Sequence, residues 1–421
     1  MPAPAMDADG NVTTPGSVSL RTKFAQFTGT YVIHCHRLNH EDNGLMAIVN
    51  VIPEISSYAV AAAGAPGTPA TVEVLDAADN TSLATVTPFP GSEGQPEVAT
   101  ADIDGDGVLD LIAAEGPGGR GEVVAYSGAA RPRAQPFTYE LARFTAFEGP
   151  AAAGGLRLAA DLIDGNSRGA ANIVVASGPG AEGQVKVFAT ELSPLGEAPA
   201  VFSTFTPYSG VTTGVELATG MVDMTSGRAS IITAPGPGTP ATVAAWRYDL
   251  YTPNGTGSEA PDRDGLRPAK VGEVQAFDND YTDGVSLSAG WLAGGLGGVQ
   301  RIVVAQRGEP GQVVVLSSGS ALDGQPELYT QPLSHDGHGA LTLSEVARFT
   351  PFGTAPDGVR VTVTSTTSGA DLLVSGVDSG TAQIRRFELT RPEPTATTLV
   401  PTPIGDPVTA PGRRPPSIGG R

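Results

Sequence analysis

The sequence predicts an all-β protein whose main body is a β-propeller of about six blades, and three observations carry that reading. Glycine and proline are abundant, 55 and 36 in 421 residues, which interrupts the chain too often for long periodic helices. Short runs of Val, Ile and Ala recur between Gly, Pro, Asp and Ser, the punctuation of strands and turns. One theme, a β-rich run, a Gly/Pro loop and a second β-rich run, returns six times at spacings of about 50 to 70 residues.

The elements follow in order. Residues 17–24, 30–35 and 44–52 are apolar-rich, of strand length and separated by turn residues, which predicts three strands. After Pro53 the repeated theme begins. Its copies are AVAAAGAPGTPATVEVL at 59–75, DLIAAEGPGGRGEVVAY at 110–126, NIVVASGPGAEGQVKVF at 172–188, SIITAPGPGTPATVAAW at 230–246, RIVVAQRGEPGQVVVL at 301–316 and DLLVSGVDSGTAQIRRF at 371–387. Between copies stands a second marker: TPFP at Thr87, FTAF at Phe144, FTPY at Phe205, QAFD at Gln275 and FTPF at Phe349. Each unit therefore holds several strands. Four-stranded units repeating at this period cannot bury their faces alone, and stacking blade against blade answers that need. Residues 55–389 are assigned to the propeller. The stretches 252–272 and 320–345 lengthen the later repeats and are candidate binding loops by position. The last segment, 390–421, is rich in Pro and poor in bulky apolar residues, and is expected to be a disordered Pro-rich tail.

A formal charge of -19, from 25 Lys+Arg against 44 Asp+Glu, would repel phosphate backbones and anionic lipid, so nucleic acid is excluded as a partner. No apolar run approaches the roughly 18 residues of a spanning helix, so membrane insertion is not expected. Residues 1–23 lack a charged start followed by an apolar block, and no signal peptide is read there. That leaves either a cytoplasmic protein or a chain whose true beginning is missing. The single cysteine, Cys35, excludes an internal disulfide and leaves a thiol for ligation, catalysis or burial.

The strongest local signal is FTGTYVIHCHRLNHEDNGLMAIVNV at 27–51. Alternate residues of a strand face opposite sides, so His34 and His36 share one side and Cys35 takes the other, and one strand can serve two metal sites. Imidazole suits copper, and a thiolate with histidine and a weak axial group makes a blue-copper site. With its FTGTY lead, HCH triplet, further His and HEDNGLM end, the segment from about 17 to 54 resembles the C-terminal plastocyanin-like domain of multicopper oxidases. The resemblance implies that residues 1–54 are a partial cupredoxin Greek key. It also implies Cys35 and His40 as type 1 copper ligands and His34 and His36 as type 3 copper ligands. The family's axial position falls on Leu45, which cannot ligate, unless a slip of one residue brings Met46 there. A free cysteine among surface histidines is the plainer alternative.

The family builds its copper sites from four His-X-His pairs and another upstream histidine. This chain has five histidines, and His34-Cys35-His36 is its one such pair. The remaining two, His335 and His338, stand in SHDGHG, which resembles no part of the oxidase and reads as a polar loop. Independent oxidase activity is therefore not expected without a missing upstream oxidase segment or a partner chain.

A second signal is DIDGDGVLD at 102–110, with carboxylates at alternate positions around glycines. Calcium takes about six to eight hard oxygens, and glycine permits the turn that lets carboxylates converge. The spacing resembles the calcium loop of FG-GAP repeats, the blades of integrin α heads and many secreted bacterial proteins. That resemblance implies side-chain ligands from Asp102, Asp104, Asp106 and Asp110 and a carbonyl from Val108. A solvated acidic turn is the alternative. Other repeats keep fragments, Asp161, Asp164 and Asn166 in one and Asp223 in the next, so one calcium site is expected. No phosphate loop is present, and no catalytic residue is assigned.

Two functional expectations result. In one, the chain is a copper-binding relative of multicopper oxidases with an appended propeller. In the other it is a calcium-stabilised extracellular binding or adhesion propeller for a protein or glycan, with a vestigial copper segment. Both resemblances favour an extracytoplasmic or secreted setting.

Overall fold

The computed structural model describes residues 5–6, 12–14, 29–34, 46–51, 58–62, 67–76, 81–129, 136–164, 169–190, 198–222, 229–248, 268–292, 300–318, 341–353, 355, 357–366, 369–378, 380–392, 398–409 and 417–419. The first four strands form two hairpins. β1 (Ala5–Met6) pairs with β2 (Val12–Thr14), and β3 (Gly29–His34) with β4 (Met46–Val51). β3 and β4 match two of the strands predicted near the start, and the third, at 17–24, lies outside the described residues.

The remaining strands build antiparallel sheets of four. Blade 1 takes β5 (Tyr58–Ala62), β6 (Thr71–Leu75) and β7 (Ser82–Val86). Blade 2 is β8 (Glu97–Ala101), β9 (Asp110–Ala114), β10 (Glu122–Tyr126) and β11 (Glu140–Thr145). A helical turn, α1 (Pro150–Ala153), leads to blade 3, β12 (Arg157–Asp161), β13 (Asn172–Ala176), β14 (Val185–Ala189) and β15 (Ala200–Phe205). Blade 4 is β16 (Val215–Gly220), β17 (Ser230–Pro235), β18 (Thr242–Arg247) and β19 (Ala269–Gln275). Blade 5 is β20 (Val285–Gly290), β21 (Arg301–Gln306), β22 (Val313–Ser318) and β23 (Leu343–Phe349). Blade 6 is β24 (Val359–Thr366), β25 (Gly369–Asp378), β26 (Thr381–Thr390) and β27 (Val400–Thr409). Finally β28 (Ser417–Gly419) pairs with β5 and completes blade 1. Five blades are thus contiguous in the chain, and the remaining sheet is shared between its two ends.

The first strands of the contiguous blades and β28 touch in succession, β8 to β12, β16, β20, β24, β28 and back to β8. They are the inner strands of a ring. Between each pair of neighbouring blades lies one apolar cluster: Ile112 and Phe144 against Ile173 and Phe188, Val174 and Phe205 against Leu217 and Ile231, Ile232 against Val304, Val313 against Leu372, Leu373 and Ile384 against Val60 and Ile418, and Val74 against Val98 and Leu111. The repeated theme of the sequence is the second strand, turn and third strand of each blade. Those strands are covered on both faces by neighbouring blades, so they read as unbroken apolar runs, as in β9 and β13, where every residue is buried. The turns between them carry glycine because other backbone lies against them: a Cβ at Gly116 would collide with the Gln95 carbonyl, and one at Gly178 with that of Gly155.

The second marker closes each outer strand with an aromatic ring that the next blade grips. Arg143 lies over Phe89 and donates to the Pro88 carbonyl. Lys186 lies over Phe147 and donates to Ala146, Arg348 over Phe277 and to Ala276, and Arg385 over Phe352 and to Pro351. At the remaining contiguous junction Tyr208 replaces this pairing by donating its own hydroxyl to the Thr242 carbonyl.

The tail is a correction to the sequence reading. Residues 390–421 were expected to be disordered, yet they supply β27 and β28, and the propeller runs to Gly419. Pro401 and Pro403 sit on β27, an outermost strand with one neighbour, where a missing N–H breaks no ladder on the open side. Three residues suffice for β28 because Ile418 is buried between blades 1 and 6.

Candidate metal centre

Residues 102–110 join the inner strand β8 to β9, and local backbone demand shapes the loop. Gly105 and Gly107 have φ of 76° and 89°, the left-handed region that favours glycine. Asp102 Oδ1 accepts the N–H groups of Gly105 and Asp106 at 2.6 and 3.1 Å, and its Oδ2 accepts that of Gly107 at 2.9 Å. Asp104 and Asp106 each accept an N–H two residues on, from Asp106 and Val108. The outcome is convergence: Asp102, Asp104 and Asp106 each present a carboxylate oxygen, all within 4.8 Å of one another. Asp102 is buried and Asp106 exposed, so the cluster opens to solvent on one side. Among the described residues no other group of His, Cys, Asp or Glu converges in this way.

Asp110, the fourth carboxylate assigned by sequence, stands outside that triad. It is fully buried at the start of β9 and gives both oxygens to backbone, accepting from Ile103 at 2.9 Å and from Gly128 at 3.0 Å. Burial pushes its carboxyl up to about 8, the two backbone hydrogen bonds oppose that shift, and the charges of Asp104 and Asp102 add to it. The donor set, hard carboxylate oxygens around a glycine turn, fits calcium chemically. Asp110 fits as a support beneath the loop rather than as a fourth free arm.

Blade 3 carries the degenerate counterpart. There Asn172 stands where blade 2 has Asp110, accepts the N–H groups of Ile163 and Asp164, and donates to Asp164 Oδ2 at 2.9 Å. An amide thus ties up the one acidic arm of that loop, while Asp161 turns to the Leu162 N–H. Asn166 and Asp223 lie outside the described residues.

In the copper segment, β3 and β4 pair so that His34 stands opposite Met46. Cys35, His36, His40 and Leu45, with His335 and His338, lie outside the described residues. One constellation was missed altogether at the sequence level. Glu97, Arg157, Glu216 and Arg360, from four inner strands, meet Arg307 at one end of the central channel. The available signal was the near-constant position of the first four, at or next to the start of β8, β12, β16 and β24.

The multicopper oxidase family profile matches residues 10–54. No curated protein sequence matches the chain. Among solved structures, rhamnogalacturonan lyase YesW is similar at 11% identity over 90% of this chain and 71% of that one, with a TM-score of 0.33. A Bacillus licheniformis rhamnogalacturonan lyase, PL11, is similar at 13% identity over 85% and 74%, with a TM-score of 0.34. The exo-type rhamnogalacturonan lyase YesX gives 12% identity, 85%, 79% and 0.33. Superpositions that loose transfer no function to this chain. No helix among the described residues is long and apolar enough to cross a membrane.

Proposed function

We propose that this chain is a binding propeller that takes one calcium ion in the loop between β8 and β9. Its first 54 residues act as a copper-binding segment of multicopper-oxidase type. The observation that carries the calcium reading is the convergence of the Asp102, Asp104 and Asp106 carboxylates within 4.8 Å on a glycine turn. A cation there offsets the repulsion of three close carboxylates and fixes the outer end of the blade 2 inner strand. The site is structural, and the ligand of the propeller, a protein or glycan, binds elsewhere on the disc.

The test is a melting curve of chelated protein with and without calcium. Calcium at about 100 times its Kd should add about 2.7 kcal/mol to the folded state, and Asp104→Ala should lose that response. An unchanged midpoint in the wild-type protein would sink the calcium site.

The copper reading is favoured by the family match over residues 10–54. Cys35 and His40 would hold a type 1 copper, and His34 and His36 the type 3 pair. Five histidines do not complete the oxygen-reducing cluster, so turnover needs ligands from further sequence or a partner. Copper loading followed by metal analysis and a visible spectrum tests this. An intense thiolate band, lost in Cys35→Ser, is the expected result, and copper uptake without such a band would remove the type 1 assignment.

A further inference from the structure

We propose that one end of the central channel is a binding site for a small oxyanion, a carboxylate or phosphate group, held by Arg307 and Arg360. Five charged side chains meet there. Arg157 gives Nε to both oxygens of Glu216 at 2.9 and 3.0 Å and Nη1 to its neighbouring Leu156 carbonyl. Arg307 gives Nη2 to Glu216 Oε2 at 2.6 Å. Arg360 gives Nη1 to Glu97 Oε1 at 2.7 Å, and Arg157 stands 3.9 Å from the same oxygen. Three guanidinium groups against two carboxylates leave one positive charge, inside a chain whose formal charge is -19.

The donors are in surplus as well as the charge. Among the described residues, Arg307 uses Nη2 alone and its Nε is buried with no partner. Arg360 likewise uses Nη1 alone. The guanidinium side chains of Arg307 and Arg360 are 18% and 22% exposed, against 17% for Glu97 and 4% for Glu216, so both arginines reach the open end and Glu216 does not. Burial pulls the Arg307 guanidinium down to about 10; Glu216 opposes this, while Arg157 and Arg360 add to it. It stays charged at neutral pH, and its charge is only partly compensated. Planar forks with free N–H groups are suited to bidentate capture of carboxylate or phosphate.

The repeat itself marks Arg307 as an exception. On the inner strands Glu97, Arg157, Glu216, Ser286 and Arg360 pair with Ala114, Ala176, Ala234, Ala305 and Ser375. Two residues beyond those partners come Gly116, Gly178, Gly236, Arg307 and Val377. Blade 5 therefore places a neutral serine on its inner strand and sends an arginine into the ring from a loop position held by glycine in three other blades. Ser286 is occupied in holding the Val361 N–H. A purely structural charge lattice does not need this third arginine, because Glu216 is already paired with Arg157.

This end lies where the inner strands begin, whereas the aspartate loop follows the end of β8. A five-residue strand, roughly 16 Å, separates them, so the two tests do not interfere. The experiment uses the full chain in calcium-free buffer and titrates inorganic phosphate and acetate by calorimetry, with chloride at matched ionic strength as the reference. Saturable binding of phosphate or acetate is expected, and the tighter of the two identifies the group. Arg307→Gln should weaken it at least about tenfold, and Glu97→Gln, which leaves two positive charges in excess, should tighten it. Responses equal to that of chloride, or identical in wild type and Arg307→Gln, overturn the site. Should Arg307→Gln not fold, weaker or unchanged binding by Glu97→Gln overturns it equally.

Discussion

At the scale of single residues, the grip of one blade on the next is concentrated in a cation and a ring. Arg385 stands 4.6 Å over Phe352 and donates to the Pro351 carbonyl at 2.8 Å. Both Pro351 and Phe352 are buried, so the carbonyl has no water to turn to. Arg385→Met keeps the stem and removes the charge, and it should cost about 1–3 kcal/mol in denaturant unfolding, the range for stranding a buried acceptor. The Asp378 pair of the same arginine is partly exposed and contributes little. Lys186 fills the equivalent place over Phe147, and burial lowers its pKa, so Lys186→Met should cost less than Arg385→Met. A loss below about 0.5 kcal/mol for Arg385→Met would remove the clasp as a source of stability. The two charged sites differ in how far they could be read from residues alone. Asp102, Asp104 and Asp106 are neighbours in sequence, so their convergence was legible, although the commitment of both Asp110 oxygens to Ile103 and Gly128 was not. Glu97, Arg157, Glu216, Arg307 and Arg360 come from five blades and meet only when the ring closes.

At the scale of elements, legibility follows burial. Second and third strands such as β9, β13, β21 and β22 are covered on both faces, and their uniform apolar runs stood out as the repeated theme. Fourth strands alternate or lie open, as in β7 and β19, and only the aromatic at their end made them visible. Inner strands were the hardest: short, mixed with Glu, Arg, Ser and Thr, and facing the channel on one side. The misreading of 390–421 has the same origin. Proline counts against a strand with two neighbours and says little about an edge strand, and β27 is an edge. Three residues of β28 leave no periodicity at all, so pairing with β5, more than 350 positions earlier, was beyond local pattern.

At the scale of the whole molecule, the two ends of the chain are expected to differ in importance. Among the described residues, every interblade cluster lies between Val60 and Ile418. The ring, by contrast, closes through its last strand: β28 touches β24 on one side and β8 on the other, and pairs with β5 in its own sheet. Removing 410–421 would expose the edge of β5, take Ile418 out of the cluster between blades 1 and 6, and leave the disc open. A lost buried aliphatic side chain costs about 2–5 kcal/mol, and at about 2–4 °C per kcal/mol the midpoint should fall by about 4–20 °C, with a broader transition. Deleting residues 1–54 should shift the midpoint by no more than about 2 °C and leave the calcium response intact. Melting curves of the two truncations side by side decide it. Equal destabilisation would mean that the first 54 residues pack on the propeller and share its cooperativity. A harmless C-terminal deletion would mean that the ring is held by the other five blade junctions without its clasping strand.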